Sequence, residues 1–156
     1  MSQNILIAFD DSENAMRAVE FVGAKFNPKN KVTLFHVLPD TAALCELHSP
    51  ELTEFFVAQQ SSFCVLEAKK RQLIEAAMEK AKSLLISSGF LSANITSTIQ
   101  TRKSGIARDI LAASEDGFDT IVLGRRGLSG VREFFLGSVS QKVFNSAKNL
   151  SVVIVN

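Results

Sequence analysis

The sequence predicts an α/β domain, a single unit in which an open, twisted, parallel sheet of five strands in the order 3-2-1-4-5 carries helices on both faces. Three observations predict it. Five strand-length apolar runs, mostly β-branched or aromatic, recur along the 156 residues. Between them lie segments whose apolar residues repeat at helical spacing. Strand and helix alternate throughout, and with right-handed crossovers such alternation gives a parallel sheet that binds ligands beyond the carboxyl ends of its strands, where the strand order reverses. In the expected order that point lies between the first and fourth strands.

The runs are Ile5 to Phe9 (β1), Val32 to Val37 (β2), Ile95 to Thr101 (β3), Thr120 to Leu123 (β4) and Val152 to Val155 (β5). Three of them lack polar alternation, as strands covered on both faces do. After β1, Ala15, Ala18, Val19, Val22 and Phe26 form one helical stripe, and Ile74, Ala77, Met78, Ala81 and Leu85 form another between β2 and β3. Ile106, Ile110 and Ala113 make a third, and Val139, Val143, Phe144 and Ala147 a fourth. One connection is longer than loops usually are, an insert at about 39–63, running from Pro39 to Phe63 and expected to hold structure of its own. Within it Ser49, Pro50 and Glu51 read as a helix start, with Leu52, Phe55 and Phe56 as its apolar face.

Composition narrows the function classes. A chain of this length with 46% hydrophobic residues buries a sizeable core without staples. Seventeen Lys and Arg against 16 Asp and Glu leave a net charge of +1, with no field to gather nucleic acid or an acidic membrane. Cys45 and Cys64 lie far apart in sequence with no further Cys or His at metal-ligand spacing, so they read as two separate thiols, small buried hydrophobes in a reduced protein. The N-terminal residues reach Asp10 and Asp11 after a few apolar positions and carry no basic leader, so a cytoplasmic location is expected.

The segment that carries chemistry follows β4: Gly124, Arg125, Arg126, Gly127, then nine residues, then Gly137, Ser138, Val139 and Ser140 at the head of the last helix. Glycines allow close backbone approach, and the unpaired N–H groups at a helix N-terminus favour phosphate. Ser138 and Ser140 add hydroxyls, and Arg125, Arg126 and Arg132 can offset a polyphosphate's charge. The same residues admit a structural account, with Ser138 and Gln141 as a capping box and the glycines serving turns.

The spacing G-x2-G-x9-G-[ST] after a strand resembles the ATP-binding signature of the universal stress protein family, and Gly124, Gly127, Gly137 and Ser138 satisfy it. β1 ending at Asp10, the run Leu34 to Val37, the run Ser104 to Ala107 and the approach Asp119 to Gly124 are similar to that family too. The resemblance implies a Rossmann-like domain that binds ATP at the β1/β4 switch point. Ala8, Phe9 and Asp10 would border the adenosine, and the main chain of Val37 the adenine edge. Gly127, Gly137, Ser138, Val139 and Ser140 would contact the phosphates, with Mg2+ held through those phosphates. Gly124 belongs to the same candidate site, while Arg125 and Arg126 are either further contacts of it or solvated loop charges, since the family varies at these positions. It also implies a homodimer formed through the edge strand Ser151 to Val155, which carries no lysine or proline to guard it. The function implied is that of a cytoplasmic, ATP-dependent stress-response switch with slow hydrolysis at most; the alternative is a dimeric interaction module of the same fold that does not depend on ATP.

Other residues carry less. Asp11 and Ser12 suit the N-cap of the first helix. His36 reads as a hydrogen-bonded core or cleft histidine, since no nucleophile or carboxylate partner is suggested for it. A phosphoacceptor receiver domain would share the paired acids Asp10 and Asp11 but needs an aspartate after β3, where Thr101, Arg102 and Lys103 stand. None of the eight glycines precedes a lysine, which excludes a P-loop, and β1 is not followed by the glycines of a dinucleotide fingerprint.

Overall fold

The structure is a computed structural model that describes residues 1–45, 53–127 and 136–156. Its elements, in order, are β1 (Asn4–Ala8), α1 (Glu13–Lys25), β2 (Lys31–Leu38), α2 (Ala42–Cys45), α3 (Glu54–Ser87), a short 3-10 turn (Ser92–Asn94), β3 (Ile95–Thr101), α4 (Ile106–Ser114), β4 (Thr120–Gly124), α5 (Ser138–Ser146) and β5 (Ser151–Val155). The five strands form one parallel sheet, as the alternation predicts, in the expected order β3-β2-β1-β4-β5.

Period two along each strand divides the core. Ile5, Ile7, Val32, Leu34 and Val122 point to one face and pack under α1 and α3, where Ala18, Val19, Val22, Met78, Ala81 and Leu85 close over them. Leu6, Phe35, Val37, Ile121 and Leu123 point to the other, under Ala107 and Ile110 of α4 and Val143 of α5. Ile5, Leu6, Ile7, Ile121 and Val122 have no exposed surface, and each such side chain contributes about 1.5–3 kcal/mol of burial. This two-sided burial is why β1 and β4 lack polar alternation.

Several expectations are corrected. Cys45 and Cys64 are not separate buried thiols: α2 folds back on α3, their Cα atoms come within 5.8 Å, and the two half-buried sulfurs are joined as a disulfide. The second long helix does not begin after Phe63. It runs unbroken through 34 residues, because nothing between Glu54 and Ser87 is a glycine or proline, and it starts where the Thr53 side chain accepts from the Phe56 N–H. The expected helix start at Ser49 to Glu51, with Leu52, lies outside the described residues. Phe55 and Phe56 belong to α3 but are 74% and 45% exposed, so they bury no face within this chain. Ile106 and Phe144, expected in apolar stripes, are also exposed.

Candidate functional site

β1 and β4 pair at the centre of the sheet, while their crossovers leave in opposite directions, so the space beyond their carboxyl ends stays open. It is a cleft of about 510 Å³. On the β1 side the Phe9 N–H still donates to Phe35 O at 2.8 Å, one residue past the strand, and the chain then turns into α1. Asp10 shapes that turn: its Oδ1 accepts from the Ser12 N–H at 2.9 Å, and Ser12, in an extended conformation, caps α1 by accepting from the Ala15 N–H at 3.1 Å. His36 in β2 sits 2.7 Å from Phe9 O through Nδ1, which ties the ends of the two strands together.

On the β4 side the glycines do different things. A Cβ on Gly124 would stand 2.7 Å from the backbone C and O of Asn14 and from its Cβ, so this glycine lets α1 pack against β4. Among the described residues, a Cβ on Gly127 would meet the Asp10 carboxylate, 2.9 Å from Oδ2, which places the loop after β4 against the end of β1 across the cleft. Gly137 is the N-cap of α5; its N–H donates to Arg125 O at 2.9 Å and a Cβ there would come within 3.3 Å of Arg126 Cα. Its carbonyl accepts from the Gln141 N–H at 2.9 Å, so the N–H groups of Ser138, Val139 and Ser140 form the open first turn of α5 and have no helical acceptor. Such a turn offers fixed donors and a partial positive charge to an anion.

The capping-box reading of Ser138 and Gln141 is corrected here. Gly137, not Ser138, takes the cap position, and no side chain caps this helix. Ser138 is instead the exposed first helical residue on the cleft wall. The Ser140 hydroxyl, by contrast, is buried and donates to Gly124 O at 2.8 Å, clamping α5 to the end of β4. It is therefore not available as a hydroxyl donor to a ligand, although its N–H is.

Ala8, Phe9, Asp10, Val37, Gly124, Arg126, Gly127, Gly137, Ser138, Val139 and Ser140 all line the cleft. Arg125 does not: its N–H donates to Val155 O at 2.7 Å and its Nη1 to Asn156 Oδ1 at 3.0 Å, so it is turned toward the end of β5. Arg132 lies outside the described residues. Sequence reasoning missed the wall that α3 supplies through Glu67, Lys70 and Ile74. The signal was present, since positions 67, 70 and 74 continue the helical spacing of the stripe that begins at Ile74. Glu67 and Lys70 pair at 3.1 Å at the rim.

One buried charge stands behind the α4 wall. Asp109 is 3% exposed and accepts from the N–H groups of Lys103 at 2.7 Å and Ser104 at 3.0 Å. Burial pushes its carboxyl up, but the bonds from Lys103, Ser104 and Gly105 outweigh that and hold it below the usual carboxylate range. The loop between β3 and α4 is thereby fixed beside the cleft. Among the described residues, no group of three or more His, Cys, Asp and Glu could hold a metal ion by itself.

The model of the Universal stress protein family matches residues 1–156. No sequence among the curated proteins matches the chain. Solved structures do. A hypothetical protein whose biochemical function was assigned from its structure is 26% identical, with 99% of this chain and 96% of that one covered and a TM-score of 0.65. The universal stress protein UspA from Lactobacillus plantarum superposes at a TM-score of 0.72 with 19% identity, over 99% of this chain and 97% of that one. The universal stress protein from Archaeoglobus fulgidus in complex with dAMP gives a TM-score of 0.60 with 17% identity, over 100% and 98%. The sheet order, the central cleft and a family match from the first residue to the last agree: the chain belongs to the universal stress protein family.

Proposed function

We propose that this protein binds ATP in the cleft between β1 and β4 and works as a nucleotide-dependent stress-response switch, with slow hydrolysis at most. The observation that carries the reading is the convergence, on one cleft of about 510 Å³, of the open first turn of α5, the loop glycine Gly127 and the carboxylate of Asp10. That size suits a mononucleotide-sized ligand, for which pockets of about 300–1,000 Å³ are usual. The complex of an Archaeoglobus fulgidus relative with dAMP supports an adenine nucleotide as the ligand class.

In this reading the phosphates take the N–H groups of Ser138, Val139 and Ser140 and the Ser138 hydroxyl, Gly127 and Gly137 leave room for them, and Arg126 supplies charge from the loop. The backbone of Val37 meets the adenine edge, and Ala8, Phe9 and Asp10 border the adenosine. Mg2+ would be held through the phosphates and lower their repulsion, and the carboxylates among the described lining residues are Asp10, Asp11 and Glu67. Fast turnover is not part of the reading: among the described lining residues His36 spends Nδ1 on Phe9 O, and no nucleophilic side chain is paired with it. The protein is a cytoplasmic homodimer that pairs along β5, the edge strand of the sheet. The exposed apolar residues Phe55, Leu66 and Leu73 of α3 favour the second reading, an interaction module whose binding does not depend on ATP.

Calorimetry with ATP and Mg2+ on the wild type and on Gly137→Val tests the proposal. The valine crowds Arg126 and the mouth of the first turn, and affinity is expected to drop by at least about tenfold, or 1.4 kcal/mol. Equal binding by both proteins overturns it.

A further inference from the structure

The Cys45–Cys64 disulfide joins two segments that adjoin walls of the cleft. Leu38 and Pro39, on the wall at the end of β2, lead directly into α2, which ends at Cys45. Glu67, Lys70 and Ile74 form the wall on α3, and Cys64 lies one turn before Glu67 on that helix. The bond therefore fixes the β2 wall to the α3 wall at the rim. Among the described residues, few polar contacts join them there. α2 is four residues long, far below the length at which a helix is stable alone. Apart from its own turn on Thr41 O, the described contacts that tie it to α3 are the disulfide and the bond from Gln60 Nε2 to Leu44 O. The residues around this junction are exposed: Leu44 is 48% and Phe56 45% accessible. Both sulfur-bearing residues are themselves half-buried, within reach of a reductant.

We infer that Cys45 and Cys64 form a redox latch beside the nucleotide cleft: the disulfide holds the α2 segment, which continues from the β2 wall, against α3, and reduction releases that segment and loosens nucleotide binding. The inference rests on the nucleotide reading above. The reaction is thiol–disulfide exchange with a dithiol. One thiolate of the reductant attacks one sulfur, the Cys45–Cys64 bond breaks as the mixed disulfide forms, and the leaving sulfur takes up a proton. The second thiol of the reductant then displaces the remaining sulfur. Two electrons and two protons pass from the dithiol to the cysteine pair, which becomes two thiols as the reductant becomes a disulfide. In a reducing compartment the latch opens and in an oxidising one it closes, so a bond that would be only structural in a secreted protein becomes a sensor in a cytosolic one. If the closed wall is occupied about one-tenth of the time once the bond is gone, the apparent dissociation constant rises about tenfold.

The test titrates ATP with Mg2+ into the oxidised protein, the protein reduced with dithiothreitol, and Cys45→Ser/Cys64→Ser, with amide hydrogen exchange followed in the same three samples. The latch predicts about tenfold tighter binding by the oxidised protein. The reduced protein and the double variant should match each other, dithiothreitol should leave the variant unchanged, and exchange at residues 38–45 should quicken on reduction. Equal affinities in the oxidised and reduced forms overturn the latch and leave nucleotide binding standing. Unchanged exchange at 38–45 overturns it as well. If no sample binds ATP, the nucleotide reading falls and takes the latch on nucleotide with it.

Discussion

Replacing Gly124 and Gly127 separately by alanine should produce opposite phenotypes, although the two glycines belong to one motif. The Cβ of Gly124→Ala would lie 2.7 Å from three atoms of Asn14, two of them backbone, where carbon contacts normally sit at about 3.5–4 Å. α1 cannot yield locally, because Ala15, Ala18, Val19 and Val22 are all buried against the sheet. The strain falls at the upper end of overpacking costs, about 3 kcal/mol. For a domain of 156 residues that lowers Tm by about 6–12 °C. In Gly127→Ala the added carbon meets, among the described residues, the free end of the Asp10 side chain, 2.9 Å from Oδ2, and a rotation of that carboxylate relieves it. Stability then changes by less than about 0.5 kcal/mol, as at most surface positions. The displaced carboxylate should instead weaken ATP binding. Calorimetric unfolding of the three proteins, with ATP titrations well below each Tm, reads both effects. A Gly124→Ala protein that melts with the wild type refutes the packing argument, and a Gly127→Ala protein as unstable as Gly124→Ala refutes the division of roles.

The remaining predictions probe the same framework. Ser140→Ala removes the hydroxyl bond to Gly124 O and should cost about 1 kcal/mol in urea denaturation while ATP affinity stays within about twofold, because the N–H of residue 140 is retained. Asp109→Asn should cost about 2 kcal/mol at neutral pH, since a neutral amide accepts less strongly from the N–H groups of Lys103 and Ser104. The carboxyl's folded pKa lies below its unfolded value of about 3.9, so its contribution is present above that value and is lost as pH falls through the folded one. The gap between wild type and variant should accordingly close in denaturation series run below about pH 4. At β5 the Ser151 N–H donates to Asp119 O, so period two points the N–H groups of Val153 and Val155 into the sheet and those of Val152 and Ile154 toward the free edge. Ile154→Pro should therefore yield folded monomers in sedimentation; a dimer of unchanged affinity would remove β5 from the interface.

What could be read from sequence followed from local physics. Strands such as Thr120–Gly124 are buried on both faces, so an uninterrupted apolar run identified them without any knowledge of their neighbours. The stripe Ala15, Ala18, Val19 and Val22 located α1 for the same kind of reason. The α5 side of the cleft could be singled out because Gly124 to Ser140 is one continuous segment with fixed glycine spacing. What sequence did not yield depends on contacts between distant segments. Nothing in a separation of 19 residues says that Cys45 and Cys64 lie on helices that fold together. Ser138 and Ser140 look equivalent as residues, yet the position of Gly124 O decides that only one hydroxyl is spent internally. Arg125 and Arg126 likewise diverge, Val155 and Asn156 lying beside the first of them.

The pairing of Ile5 with Thr120 at the middle of the sheet has a consequence for how the protein comes into being. As the chain leaves the ribosome, β1, β2 and β3 are complete by Thr101, and the other side of β1 has no partner until β4 follows. During that interval Ile5, Leu6 and Ile7, fully enclosed in the finished protein, belong to a bare apolar edge capable of pairing with another nascent chain. A strand enclosed in the mature fold is thus an open edge during synthesis, and conditions that slow translation between residues 101 and 124 would prolong that hazard.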